Sequence, residues 1–238
     1  MNKTLPALIA LLIPLVCLGQ DPVKTLPDSY QLQFENDWVK VTKVHYAPHA
    51  NIPVHDHTES DAAYVYLNDS GKVIFKHDGL SYGAVTRAET KAGSFRLYRA
   101  VKETHSVENP NDSPSDFLRV EFKTISDTKV PLRGKYFREA DGAGKNIQKI
   151  QFENDQIRVT RMICASACEI TASAEPALVV ALTPARVNSS AGRERLESGK
   201  STWIEPGKST TVENAVLQPA ELLRFDLKSK PVKKTQPK

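Results

Sequence analysis

Three features are absent from this sequence of 238 residues, and each absence narrows the class of protein. After the first 19 residues, no hydrophobic run approaches the roughly 20 residues that a transmembrane helix needs. No basic stripe interleaved with aromatic residues occurs, although the formal net charge is +4, so no nucleic-acid partner is expected. No segment in the body of the chain shows a long helical hydrophobic period, which argues against a mainly helical fold.

The first 19 residues are typical of a secretory signal peptide. Lys3 provides a short positive start, an apolar run follows over residues 5–18, and small residues precede a cleavage point after Gly19. A lipoprotein anchor at Cys17 is less favoured because the bulky Val16 precedes it, and an uncut membrane anchor is the other alternative. We therefore expect an exported protein, periplasmic or secreted, with no membrane contact after cleavage.

Two cysteines, Cys164 and Cys168, remain after that cleavage. In an oxidising compartment such a pair is more often a disulfide than a metal clip. A straight strand would separate their Cα atoms by about 13 Å, so a disulfide requires a turn at residues 165–167, and two free buried thiols are the alternative.

The C-terminal segment 230–238 is rich in Pro and Lys. It has few apolar side chains to bury, so it is expected to be a disordered basic tail.

The chain contains an internal repeat. Residues 33–37, Gln-Phe-Glu-Asn-Asp, recur as residues 151–155. Residues 118–123 match residues 223–228, in the same order along the chain. The offset between the copies falls from 118 to 105 positions because the second copy has lost residues between the two matches. We infer that the chain is a duplication of one structural unit.

The repeated words place the first unit at residues 28–125 and the second at 146–229, joined by a polar linker at 126–145. Within each unit, apolar and polar residues alternate with the period of two that is typical of half-buried strands, as in residues 117–122. Short strands separated by turns predict an all-β fold of the sandwich or barrel type.

Side chains that could carry chemistry are concentrated in the first unit. His55 and His57 are two residues apart, so on a strand both imidazoles would project from the same face. Asp61 follows four residues later, close enough to bring a carboxylate to the same place. His105 comes from a distant segment.

These residues resemble the two motifs of the cupin family. The first motif is a His-x-His pair followed by an acid after three or four residues, and His55, His57 and Asp61 match it, with Asp in place of the usual Glu. The second motif ends in a His followed four positions later by an Asn, as His105 and Asn109 are. The resemblance covers both units, although only the first carries these histidines.

The resemblance implies two tandem double-stranded β-helix barrels, also called jelly rolls, with one divalent metal ion in the first. The implied ligands are His55, His57, Asp61 and His105. Such a set of nitrogen and oxygen donors suits Fe, Mn, Zn or Ni, so the identity of the metal stays open. Binding requires neutral imidazoles and an ionised carboxylate, so metal occupancy is expected to fall on acidification.

The second unit lacks these ligands. With the offset of the repeated words, Ser173 and Glu175 stand opposite His55 and His57, and Thr210 stands opposite His105. We therefore expect the second unit to be a degenerate barrel that serves as a packing partner or a wall of the site.

The sequence leaves the activity open between two classes. One is a metal-dependent dioxygenase, isomerase or lyase acting on a small organic molecule, and the other is a non-catalytic binding protein for a metal or a small ligand. No catalytic residue is assigned, because spacing forces no general base next to the metal, and no cofactor besides the metal is expected. A homodimer is compatible with the sequence. His45 either lines the barrel interior or is exposed, and His77 is expected to be an exposed turn residue.

Overall fold

A computed structural model describes residues 21–57, 59–77, 83–99, 102–125, 130–138, 144–189 and 192–232. The predicted signal peptide, residues 1–19, lies outside the described residues, as does most of the predicted tail. The first three residues of that tail belong to the fold: Pro231 forms an isolated bridge with Thr124, and the Val232 N–H donates to the Lys123 carbonyl.

The described residues confirm the all-β prediction, because they form nineteen strands and one four-residue helix. The first half contains α1 (Pro22–Thr25), β1 (Tyr30–Glu35), β2 (Val39–Tyr46), β3 (Asn51–His57), β4 (Asp61–Tyr66), β5 (Val73–His77), β6 (Ala84–Arg87), β7 (Phe95–Tyr98), β8 (Glu103–Glu108), β9 (Ser115–Phe122) and β10 (Arg133–Tyr136). The second half contains β11 (Ile147–Glu153), β12 (Ile157–Cys164), β13 (Cys168–Ile170), β14 (Ala177–Ala181), β15 (Ala185–Ser189), β16 (Gly192–Leu196), β17 (Ser201–Ile204), β18 (Thr210–Asn214) and β19 (Ala220–Leu227). None of the described helical residues forms a helix long and apolar enough to cross a membrane.

The two halves have the same strand order. The first half has a sheet in the order β1-β2-β9-β4-β7-β10 facing a smaller sheet in the order β3-β8-β5-β6. The second half has the orders β11-β12-β19-β14-β17 and β13-β18-β15-β16. The repeated segment also has the same irregularity in both halves, because the strand register shifts between Leu32 and Phe34 and again between Ile150 and Phe152. This matching geometry is what the inferred duplication would produce.

The predicted linker is more structured than its polar composition indicated. Residues 133–136 form β10, which pairs with β7 and extends the larger sheet of the first half. Leu132 is buried, and the Tyr136 ring stacks on Phe95 with ring centroids 4.7 Å apart. Leu132 and Tyr136 have the same strand parity, and the exposed Arg133 and Lys135 lie between them. One face of this edge strand is therefore apolar and the other is charged.

The two larger sheets pack face to face and share one hydrophobic core. This core takes buried side chains from both halves, namely Val39, Val41, Ala63, Val65, Phe95, Leu97, Leu118, Val120, Phe122 and Leu132 from the first and Phe152, Ile157, Val159, Leu178, Val180, Leu223, Phe225 and Leu227 from the second. A buried ion pair, Arg161 Nη1 to Glu221 Oε1 at 2.5 Å, lies beside it, and Arg161 also donates to the Gly93 carbonyl of the first half. The halves are thus joined through their β-sheets and not only through the connecting chain.

Cys164 and Cys168 form a disulfide. Their Cα atoms are 5.5 Å apart, which is possible because the chain bends at residues 165–166 between β12 and β13. Of the two alternatives that the sequence left open, the structure has the disulfide.

Candidate metal centre

The smaller sheet of the first half presents metal-binding side chains on one face. In the pairing of β3 with β8, His55 lies opposite His105 and His57 lies opposite Glu103. In the pairing of β5 with β8, His77 lies opposite the same His105. Side chains two residues apart on a strand, and those directly opposite on neighbouring strands, share a face. The sheet therefore gathers four imidazoles and one carboxylate.

Three of these imidazoles form a buried cluster. One ring nitrogen each from His55, His57 and His105 lies within 4.8 Å of the others, and all three side chains are buried. The His55 Nε2 and His57 Nε2 atoms are 3.1 Å apart. A register shift between Ile52 and His55 turns the end of β3 so that both of its histidines face inward. Three members of the predicted ligand set are thus brought together.

Hydrogen bonds orient His55 for metal binding. Its Nδ1 lies 2.8 Å from the Pro53 carbonyl oxygen, which can only accept, so Nδ1 carries the proton and Nε2 keeps its lone pair. The Tyr30 hydroxyl lies 2.8 Å from that Nε2 and 2.8 Å from the Tyr46 hydroxyl. The lone pair that a metal would use is therefore directed into the cluster, where the Tyr30 hydroxyl now donates to it.

Burial keeps the three imidazoles neutral. Burial lowers the pKa of His55, and burial together with the nearby Arg119 guanidinium lowers the pKa of His57 well below its ordinary value. Burial and the neighbouring His55 lower the pKa of His105 to about 3. Neutral imidazole is the form that binds a metal ion, so the cluster is in its binding form at neutral pH.

His105 supports a metal at this place. Both of its ring nitrogens are buried, and neither has a hydrogen-bond partner among the described residues. A buried polar atom without a partner costs about 1–3 kcal/mol, so it usually marks a place where something else binds. The donor set and this unsatisfied imidazole together fit a divalent metal.

Arg119 opposes a metal at the same cluster. Its guanidinium contacts His57 Nδ1 and also pairs with Glu121, with Nη2 and Oε1 3.2 Å apart. A guanidinium only donates hydrogen bonds, so in this arrangement His57 Nδ1 accepts and the proton of the neutral ring sits on Nε2. A metal at His57 Nε2 therefore requires that this proton leave and that the contact with Arg119 change.

Asp61, the fourth predicted ligand, lies outside the cluster. Its carboxylate interacts with Gln156 of the second half, and Arg99 Nε lies 3.9 Å from its Oδ1. Asp61 has the same strand parity as Ala63 and Val65, which face the core shared by the two larger sheets. Because strand side chains alternate, Asp61 projects away from the histidines, and the inward position next to it is occupied by Ala62.

A second cluster of possible ligands adjoins the first. One ligand atom each from His77, Glu103 and His105 lies within 4.8 Å of the others. The His105 Nδ1 and Glu103 Oε2 atoms are 3.6 Å apart, and the rings of His77 and His105 have centroids 5.3 Å apart. The prediction that His77 is an exposed turn residue is corrected, because it is the last residue of β5 and is half-buried.

The other two histidines lie outside both clusters. His45 Nδ1 lies 2.7 Å from Asp116 Oδ1, with nearly half of its side chain exposed. His49 Nε2 lies 2.9 Å from Asp112 Oδ1 at the surface. Of the two placements that the sequence allowed for His45, the partly exposed one is observed.

A cavity of about 490 Å³ adjoins the histidines, and His57, His77 and His105 line it. Its other walls combine cations with aromatic rings. Among the described lining residues the cations are Arg87, Arg96, Arg119 and Lys135, the one carboxylate is Glu103, and the aromatic residues are Tyr30, Tyr46, Tyr64, Phe75, Tyr98 and Phe117. The cavity walls therefore carry excess positive charge, which attracts an anionic ligand.

Two of the cations contact neutral groups. Arg87 donates to the Ser70 and Ser115 hydroxyls and lies over the rings of Tyr66 and Phe117. Arg96 lies 4.9 Å from the centroid of the Tyr64 ring. Hydroxyl groups and aromatic rings do not neutralise a guanidinium, so these two arginines still contribute positive charge to the cavity.

The strand register revises the correspondence between the two halves. Ile170 lies opposite Thr210, as His55 lies opposite His105, so Ile170 and not Ser173 occupies the position of His55. Of the three positions between Ser173 and Ile170, one comes from the register shift in β3, which the pairing of β13 with β18 lacks. The other two come from the shorter turn between β12 and β13 than between β2 and β3. The expectation that the second half lacks ligands at these positions holds, because Ile170 is buried in an apolar cluster.

No family model matches the sequence, and no curated protein matches it. Many solved structures match its fold. AerE from Microcystis aeruginosa matches with a TM-score of 0.58 and 14% identity over 84% of this chain and 97% of that chain. A salicylate 1,2-dioxygenase from Pseudaminobacter salicylatoxidans matches with a TM-score of 0.56 and 12% identity over 86% and 79%.

A cupin 2 conserved barrel domain protein from Leptotrichia buccalis matches with a TM-score of 0.51 and 13% identity over 83% of this chain and 88% of that chain. Each of these matches covers more of the chain than either half alone. At such low identity the likeness concerns the fold. The chain has the cupin fold, as its motifs predicted.

Proposed function

We propose that the first barrel binds one divalent metal ion through His55, His57 and His105 and uses it to act on a small anionic molecule in the adjoining cavity. The observation that carries the proposal is the convergence of three buried, neutral imidazoles, one of which has both ring nitrogens unsatisfied among the described residues. Packing alone does not account for such a group, because buried polar atoms are normally hydrogen-bonded.

A divalent ion bound there would supply Lewis-acid chemistry or, if it were iron, chemistry with dioxygen. The surrounding residues would hold and orient it. The Pro53 carbonyl fixes the tautomer of His55, and the Tyr30 hydroxyl lies within hydrogen-bond distance of the same ring. Metal binding at His57 Nε2 would require Arg119 to move away from His57 Nδ1, because the proton that leaves Nε2 would then be carried by Nδ1.

The walls of the cavity favour an aromatic or otherwise flat carboxylate as the substrate. Cationic side chains offer charge-assisted hydrogen bonds to a carboxylate, and the aromatic residues offer flat apolar surface for a ring. Among proteins of similar fold, one is a salicylate 1,2-dioxygenase, and a structure of one of its mutants is a complex with gentisate. Both compounds are aromatic carboxylates, so dioxygenation of such a compound is the reaction we propose first.

The alternative is a binding protein that holds a metal or a small ligand without turnover. The contact of Arg119 with His57 favours the form of this alternative that holds a small ligand, because a guanidinium beside the cluster repels a divalent ion and attracts an anion. Oxygen uptake separates the two functions.

The first experiment tests the metal site by titrating Co²⁺ into chelator-treated protein. The neighbouring cluster shares His105, so the comparison starts from a His77→Ala variant. We expect this variant to bind one equivalent, and the added substitution His57→Ala to weaken binding at least about 100-fold, since loss of a supporting outer residue alone costs 10–100-fold. The matched control adds His49→Ala, which removes an exposed histidine and should leave affinity unchanged.

Absence of stoichiometric Co²⁺ in the His77→Ala protein would contradict the metal site, as would an unchanged affinity after His57→Ala.

The second experiment measures oxygen uptake by Fe²⁺-loaded wild-type protein with salicylate, gentisate and the uncharged analogue hydroquinone. Uptake that requires the carboxylate supports the enzyme. Tight binding of the same acids without oxygen uptake favours the binding protein.

We also propose that the protein is exported and that residues 1–19 are its signal peptide. The disulfide between Cys164 and Cys168 supports this, because such bonds persist mainly in oxidising compartments. Sequencing the N-terminus of the mature protein tests it, and a mature chain beginning at Gln20 is expected.

A further inference from the structure

We propose a second, alternative position for a divalent cation, formed by His77, Glu103 and His105. It lies on the side of β8 that faces β5, whereas the three-histidine position lies on the side that faces β3. The motif resemblance contains neither His77 nor Glu103. The two positions share His105, whose ring lies between the other ligands.

The pairing register brings these donors together. His77 is opposite His105 across the β5–β8 ladder, and Glu103 is two residues before His105 on the same face of β8. One donor atom from each lies within 4.8 Å of the other two. Small rotations of the side chains would bring donors at this spacing to the roughly 2.0–2.2 Å from a common ion that nitrogen and oxygen ligands adopt.

The chemistry of this donor set differs from that of the three histidines. Two imidazoles and one carboxylate reduce the charge of a divalent ion, whereas three neutral imidazoles leave it at full charge beside Arg119. Such a mixed set of two histidines and a carboxylate suits Zn²⁺, Fe²⁺ or Mn²⁺. In the arrangement observed, the charge of Glu103 makes the second position favourable while Arg119 still occupies His57 Nδ1.

Both ring nitrogens of His105 are available for such a role, because neither has a hydrogen-bond partner among the residues the structure describes. A neutral imidazole offers one lone pair at a time, so an ion at one position competes with an ion at the other for His105. His77, Glu103 and His105 all line the 490 Å³ cavity, whereas His55 does not line it. An ion that enters through the cavity therefore has access to all three donors of the second position, whereas at the first position only His57 and His105 line the cavity.

The second half of the chain lacks this set as well. Its pairing register puts Ser189 at the position of His77, since Val187 pairs with Val212 as Phe75 pairs with Val107. Lys208 stands where Glu103 stands in the first half, two residues before Thr210. The framework of the fold therefore does not require metal-binding residues at these positions, which makes their presence in the first half informative.

The experiment removes the first position and tests what remains. A His55→Ala/His57→Ala protein retains His77, Glu103 and His105, and we expect it still to bind one equivalent of Co²⁺ after chelator treatment. Adding Glu103→Gln, which keeps the shape of the side chain and removes its charge, should weaken that binding at least tenfold. Adding His77→Ala should do the same. Adding His45→Ala, the matched control for loss of a histidine, should change nothing.

Failure of the double variant to bind Co²⁺ overturns the second position, as does an affinity unaffected by Glu103→Gln and His77→Ala. The visible absorption of bound Co²⁺ supplies an independent measure, since exchange of a carboxylate for an amide alters the spectrum of an ion bound there. Thermal unfolding of each variant identifies any that do not fold. The result is separate from the test of the three-histidine position, which uses proteins that lack His77.

Discussion

The two barrels have the same strand order but opposite interiors. The first encloses histidines, tyrosines and arginines around a cavity. The second is filled by an apolar cluster made of Met162, Cys164, Cys168, Ile170, Ala177, Val179, Ala185, Ile204, Val212, Ala220 and Leu222. Strand order therefore does not determine whether a barrel of this fold has a site. The side chains on the inner face of its smaller sheet do.

One charged pair occurs in both barrels. Arg119 pairs with Glu121 in the first, and Arg224 pairs with Asp226 in the second, with Arg224 Nη2 and Asp226 Oδ1 2.6 Å apart. Because the second barrel lacks the histidines, this pair is a feature of the barrel framework and not a mark of the metal centre. What distinguishes the first barrel is that its arginine also contacts His57.

The interiors of the two barrels also differ in what they contribute to the stability of the protein. Buried apolar surface stabilises both barrels by about 25 cal/mol per Å², and the first barrel in addition buries three imidazoles, one of which has no hydrogen-bond partner among the described residues. The core shared by the larger sheets joins the two, so the filled barrel supports the one that carries the cavity. Exchanging interior residues between the barrels tests this division.

The largest effect is expected from putting a histidine into the filled barrel. Ile170→His places an imidazole at the position equivalent to His55, where the neighbours are apolar and Thr210 replaces His105. Lost apolar burial and a buried polar ring should lower the free energy of unfolding by about 3 kcal/mol, or roughly 6–12 °C in Tm for a protein of this size. Calorimetry of the metal-free protein measures it.

The reverse exchange in the first barrel is the matched control. His55→Ile removes a buried imidazole; the Tyr30 hydroxyl keeps its partner Tyr46, and the His57 Nε2–H loses the acceptor His55 Nε2. The free energy of unfolding should therefore change by about 1–2 kcal/mol, less than for Ile170→His. Equal destabilisation by the two exchanges would show that the interiors do not differ as described.

A smaller effect is expected from removing Arg119. Arg119→Gln replaces a group that only donates by one whose carbonyl accepts a hydrogen bond from His57 Nδ1–H, which leaves Nε2 free for a metal. In a His77→Ala background, the affinity for Co²⁺ should rise about tenfold. Titration calorimetry measures the affinity, and unfolding curves check that the variant is folded.

The equivalent change in the second barrel, Arg224→Gln, removes the framework pair without touching a histidine. Its Co²⁺ affinity should equal that of the parent. A fall in affinity on Arg119→Gln would mean that the guanidinium supports the metal centre, and an equal rise in both variants would mean that the effect is not local to His57.

The fold was largely predictable from the sequence, because the repeated words and the strand periodicity are local signals. Residues 33–37 and 151–155 form the end of a strand and its turn in both halves. The segment at 133–136 was not predictable as a strand, because its apolar residues are too few for a local signal and it forms by pairing with β7. The equivalence of Ile170 and His55 depended on a register shift in β3 and on a turn two residues shorter before β13, which the offset of the repeated segments does not reveal.

The candidate site was predictable for its histidines and not for its carboxylate. His55 and His57 share a face by strand alternation alone. The same rule, applied from Tyr64 back along β4, puts Ala62 on the cavity side and Asp61 on the other, so the signal against Asp61 was present in its parity. Glu103 shares a face of β8 with His105 by the same alternation, so its position was open to prediction from the sequence. His77 was not, because it reaches His105 only through the pairing of β5 with β8 across 28 positions of sequence.

The smallest effect is the pH dependence that the first barrel should add to stability. Histidine in the unfolded chain has a pKa of about 6.5, whereas burial lowers the pKa of His105 to about 3 and also lowers those of His55 and His57. Below pH 6.5 the unfolded state therefore binds protons that the folded state does not. The free energy of unfolding therefore has its full value above pH 6.5 and decreases as the pH falls toward the pKa of the folded state.

Between pH 6.5 and 5.5, each histidine that stays neutral in the metal-free fold should lower the free energy of unfolding by about 1 kcal/mol. Denaturant titrations across this interval measure the slope, and His105→Gln should reduce the loss by about 1 kcal/mol because one such proton is removed. His49→Ala, which removes an exposed histidine, should leave the slope close to that of the wild type. An identical slope in wild type and His105→Gln would mean that His105 takes up its proton while folded, and the polar interior of the first barrel would then not carry the acid sensitivity that sets it apart from the second.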